Sequence, residues 1–81
     1  MKNNIEKYKK TFIESLSLEK KDFKDSIEYN GVPEWDSIGH MTLISGLEEE
    51  FNISIDTDDI VNFSSFKKGK EILEKYKINF N

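Results

Sequence analysis

The chain has no cysteine and no arginine, a single proline, and no run of apolar residues longer than two. Without cysteine there is neither a disulfide framework nor a thiolate metal site, a composition that fits a reducing, cytoplasmic setting. Without long apolar runs, the sequence predicts neither a signal peptide nor a membrane span. Basic residues are missing from one region altogether. Residues 25–66 hold ten Asp or Glu and no Lys, a local charge of −10. The flanks compensate, with seven Lys against four acids in residues 1–24 and five against two in residues 67–81, for a net −4. An acidic centre of this kind argues against nucleic acid as a partner and for association with basic protein surfaces.

What is present is helical periodicity. The 81 residues form one domain with a small core, which leaves little room for an enclosed active site. Ile5, Tyr8, Phe12, Ile13 and Leu16 recur at spacings of three and four and predict a first helix over about 3–16. Asp36-Ser37 is a good helix start, with Pro33 just outside it, and predicts a second helix over 36–51 closed by Asn52. A short third helix, 57–62, follows Asp56-Thr57, with Asp58 and Asp59 near the positive end of its dipole. A fourth, 65–77, starts at Ser64-Ser65, and Phe66, Ile72, Leu73 and Tyr76 share one side. Lys75 and Lys77 suit its end, and Asn79 and Asn81 read as a frayed tail. The connection between the first two helices is long enough to need anchors. Leu18, Phe23, Ile27, Tyr29 and Val32 supply them, with a helical turn over Phe23–Ile27 and a positive-φ turn at Asn30-Gly31. The fold class is all-α, a four-helix bundle with a long first loop and a short third helix.

On the second helix, Leu43, Ile44, Leu47 and Phe51 fall on one stripe at about 100° per residue, while Ile38 and Met41 fall away from it. With Ser45, Glu48 and Glu49 nearby, they form a small apolar contact patch with an acidic rim. Met suits a surface that meets several partners.

Asp36-Ser37-Ile38 at the head of this helix and Glu48-Glu49-Glu50-Phe51 at its end resemble the acyl carrier protein family. The spacing of Leu43, Leu47 and Phe51, then Ile53-Ser54-Ile55-Asp56 and the acidic third helix before Phe63, match in order over nearly the whole chain. The resemblance implies that Ser37 carries 4′-phosphopantetheine, acquired from coenzyme A through a phosphopantetheinyl transferase. Asp36 and Ile38 would then be the attachment motif that the transferase reads. Met41, Ser45, Glu48 and Glu49 would dock partners, among them an acyl- or aminoacyl-activating enzyme and downstream transferases or synthases. Leu47, Ile55, Ile60 and Phe63, with Tyr29, are the matching candidates for an acyl pocket. The implied protein is a monomeric, non-catalytic carrier. A helix N-terminus accepts a phosphodiester readily, and a chain without a thiol must import one to hold a thioester. Trp35 and Gly39-His40 depart from housekeeping fatty-acid carriers. They resemble carriers of dedicated pathways, such as surface-polysaccharide or secondary-metabolite synthesis. Two alternatives stay open: an aminoacyl or peptidyl carrier, and an acidic helical adaptor without a prosthetic group.

Other readings fail on the residues. His40 is the only histidine and has no cysteine or second histidine to share a metal or a proton-transfer role. A calcium loop counted from Asp56 would need an oxygen ligand at its fifth position, Gly at its sixth and Glu at its twelfth. Those places hold Ile60, Val61 and Lys67.

Overall fold

A computed structural model describes residues 4–80. Four helices follow one another: α1 (Asn4–Ser15), α2 (Ser37–Phe51), α3 (Thr57–Asn62) and α4 (Phe66–Lys75). The described residues contain no strand, only an isolated antiparallel bridge between Glu28 and Ser65. The protein is all-α, as the periodicity predicts. None of the described helices is long and apolar enough to cross a membrane.

Helix boundaries follow their local chemistry. The Asp36 side chain accepts the Gly39 N–H at 2.8 Å and caps α2, while Asn52, with φ 54°, ends it in the left-handed region that Asn tolerates. The Ser65 hydroxyl accepts the Lys68 N–H at 2.9 Å and caps α4. That helix stops at Lys75, two residues short of the expected end, because Tyr76 is its cap and Lys77 turns to φ 69°. Asn3, the first residue of the expected α1, lies outside the described residues, as does Asn81.

The expected positive-φ turn at Asn30-Gly31 is present, with Asn30 at φ 65°, while two other local expectations are corrected. The helical turn in the long loop is a 3-10 turn at Lys20–Asp22, and Phe23 after it is extended. Asn79 is not a frayed end: its carbonyl accepts from Asn4 Nδ2 at 2.8 Å, and its neighbour Ile78 is buried.

The core is built on aromatic rings. Phe12 meets Tyr8, Trp35 and Phe66 edge-on, with ring centroids 5.7, 4.9 and 5.3 Å apart. Such contacts contribute about 0.5–1.5 kcal/mol each beyond area burial. Burial pushes the Tyr8 hydroxyl's pKa up, so it stays a neutral donor, to the Phe66 carbonyl at 2.7 Å. Leu43, Ile44 and Leu47 bury the predicted stripe of α2, which packs along α1. The long loop is fixed by its side chains Leu18 and Ile27, which are buried, and by main-chain bonds to the α3–α4 junction. There Tyr29 N–H donates to Ser64 at 2.9 Å and Phe66 N–H donates to Ile27 at 3.0 Å. These bonds satisfy backbone groups that an unpinned loop would leave to water.

Candidate functional site

Ser37 is the first residue of α2, and it is exposed. The helix has no acceptor of its own for the N–H groups of Ser37 and Ile38. The next N–H, that of Gly39, is taken by Asp36. The first turn of α2 contains no acidic residue. An anion on the Ser37 oxygen would therefore meet main-chain donors and the positive end of the helix dipole.

The surface beside Ser37 is apolar where soluble helices are usually polar. Ile38 is 77% exposed and Met41 54%. Val61, on α3, is 76% exposed. Ser45 and Glu49 are exposed on the outer side of α2. Glu48 differs from Glu49: one of its carboxylate oxygens accepts the Ile55 N–H at 2.8 Å, tying the α2–α3 loop to α2. Of the two acids, Glu49 is the exposed one.

The four acyl-pocket candidates come together, but inside the core. Leu47, Ile55 and Phe63 are buried, and Ile60 is partly buried against the same cluster. Tyr29 sits at the edge, its ring 6.1 Å from Trp35 and 5.4 Å from His40. Surface clefts open elsewhere, along Ile27, Val32 and Pro33, and over Ile13 and Phe23.

Three polar features escape sequence reasoning. Trp35 is fully buried, and its Nε1–H donates to His40 Nδ1 at 2.9 Å. His40 Nε2 lies 2.8 Å from the Ile60 carbonyl oxygen. Asp59, read from sequence as a first-turn acid, is only 6% exposed. It accepts from Lys75 Nζ and from Tyr76 OH, both at 2.7 Å, and so joins α3 to α4. The bonds from Lys75 and Tyr76 outweigh burial and hold the Asp59 carboxyl below its ordinary range. Lys75 is correspondingly held above its ordinary value by the bond to Asp59. For Tyr76, the Asp56 N–H at 2.9 Å favours the phenolate, but donation to Asp59 and burial prevail and the pKa is raised. Among the described residues no cluster of acids and histidine can hold a metal ion. No protein-family model and no curated protein matches this sequence.

Proposed function

We propose that the chain is a carrier protein, with 4′-phosphopantetheine esterified to Ser37 and its cargo presented to the enzymes of a biosynthetic pathway. The observation that carries this reading is the placement of Ser37. It is an exposed hydroxyl on the first residue of a capped helix, beside exposed Ile38 and Met41. The helix order, with a long loop before α2 and a short α3, is the one that the resemblance to acyl carrier proteins implies.

In the loading step the Ser37 oxygen displaces adenosine bisphosphate from coenzyme A, and the hydroxyl proton leaves to a base of the transferase. Asp36 fixes the turn through Gly39 and so holds Ser37 at the helix start. Ile38 and Met41 give the transferase an apolar foothold, and the acids of α2 attract its basic rim. Once bound, the arm supplies the thiol on which cargo is held as a thioester. The chain contributes no catalytic residue.

The test is intact mass after incubation with coenzyme A and a broad-specificity phosphopantetheinyl transferase. One phosphopantetheine should add to the wild-type chain and none to Ser37→Ala. No addition, or equal addition to the variant, would leave an acidic helical adaptor as the better reading.

A further inference from the structure

Trp35 and His40 flank Ser37, two residues before it and three after, and the carrier reading gives neither a task. An indole nitrogen only donates, so His40 Nδ1 must accept and carries no proton. The ring hydrogen therefore sits on Nε2, which donates to the Ile60 carbonyl. The imidazole lies nearly parallel to the Trp35 ring, at 22°, and meets Tyr29 and Phe63 edge-on. The result is one hydrogen-bonded line from the residue before the α2 cap, through the first turns of α2, to α3.

A helix of six residues is not stable alone, so tertiary contacts must set where α3 lies. Two polar ties do so: Asp59 to Lys75 of α4 and to its cap Tyr76, and the Ile60 carbonyl to His40 of α2. The second tie adds a side-chain donor to a carbonyl at the C-terminal end of α3 that also accepts the Phe63 N–H at 3.3 Å. Val61, the next residue of α3, is 76% exposed.

We propose that His40 is a positioning residue whose neutral ring locks α3 to the Ser37-bearing turn, so that presentation of Ser37 depends on a helix to which it does not belong. The geometric half stands by itself; the consequence for modification rests on the carrier reading.

Two substitutions separate the bonds. His40→Gln keeps a donor where Nε2 stood and loses the acceptor at Nδ1. His40→Asn keeps that acceptor and cannot reach Ile60. Amide hydrogen exchange over 57–62 in the unmodified chain reads the tie directly. Exchange there should quicken about tenfold in His40→Asn, as loss of one ordinary hydrogen bond implies, and stay near wild type in His40→Gln. With coenzyme A and a broad-specificity transferase, His40→Asn should raise the KM for the carrier severalfold at little changed kcat, and His40→Gln should not. Equal exchange in the two variants overturns the positioning role, whether or not Ser37 is modified. A loosened α3 with unchanged KM overturns the link to presentation. A wild-type chain that is never modified removes the carrier reading but leaves the exchange result standing. If His40→Asn does not fold, ring ¹⁵N shifts of the wild type decide: a proton on Nδ1 refutes the assignment.

Discussion

Two glycines inside helices should respond in opposite ways to the same added methyl group. Gly69 lies in α4 and Gly46 in α2, and Ala is favoured over Gly in a helix interior by about 1 kcal/mol. At Gly69 a Cβ would overlap the Tyr8 hydroxyl and the Phe63 ring. Both residues are fully buried, and the hydroxyl is committed to the Phe66 carbonyl, so neither can yield cheaply. Overpacking costs about 1–3 kcal/mol, with about 1 kcal/mol more when the Tyr8 bond is displaced. The sum outweighs the propensity gain, so Gly69→Ala should be destabilising by about 1–3 kcal/mol. At Gly46 the Cβ would stand 2.5 Å from Ser15 Oγ and 3.2 Å from the Thr11 methyl. Ser15 is only partly buried, and its hydroxyl can rotate away, leaving a small cost against Thr11. Gly46→Ala should therefore stay within about 1 kcal/mol of wild type. Urea titration followed by the fluorescence of Trp35, the only tryptophan, reads both variants. In thermal melts a 1 kcal/mol change corresponds to about 4–8 °C for a domain of this size. Equal midpoints for the two variants, or a stabilised Gly69→Ala, would refute the packing argument.

Gly39→Ala should disturb the attachment turn, because its Cβ would overlap the Glu34 carbonyl oxygen; a normal modification rate and normal melting temperature would contradict this. Glu48→Ala should cost about 1–2 kcal/mol through the lost cap on Ile55, and Glu49→Ala almost nothing, which denaturant midpoints will distinguish. Charge reversal at Glu49 should instead slow association with a basic partner enzyme, an effect that fades at high ionic strength in stopped-flow measurements. Since Lys75 and Tyr76 hold Asp59 below its ordinary carboxyl range, the stability it supplies is complete above the unfolded-state value and drains away as pH falls through the lower folded one. The gap in denaturant midpoint between wild type and Asp59→Asn should accordingly narrow under acid, and a constant gap would be the wrong result.

Helix starts and buried faces were legible because they obey local rules. Asp36, Asn52 and Ser65 mark boundaries by their own side chains or dihedrals, and Leu43, Ile44 and Leu47 repeat with the helix. The exposed pair Ile38 and Met41 follows from the same period read in reverse. What lay hidden needs partners distant in the chain. Asp59 in a first turn looks like a solvated dipole partner, and only the arrival of Lys75 and Tyr76, 16 and 17 residues later, buries it. The loop's main-chain bonds to Ser64 and Phe66 leave no periodic trace. Trp35 and His40 are five apart across a helix cap, a spacing that no helical or strand period singles out, and the acceptor on Ile60 lies 20 residues further on. A large apolar ring and a lone imidazole on either side of a cap were the available hint.

The Asn4 side chain holding the Asn79 carbonyl, with the Phe80 ring 5.5 Å from Tyr8, brings both ends of the described chain to one point of the body. A fold whose ends meet can be spliced into a surface loop of a host protein without being pulled apart. It can also be re-threaded: a short linker joining residues 4 and 80, with new ends cut in the exposed stretch 24–26, should yield a circular permutant that retains Ser37 at its helix start.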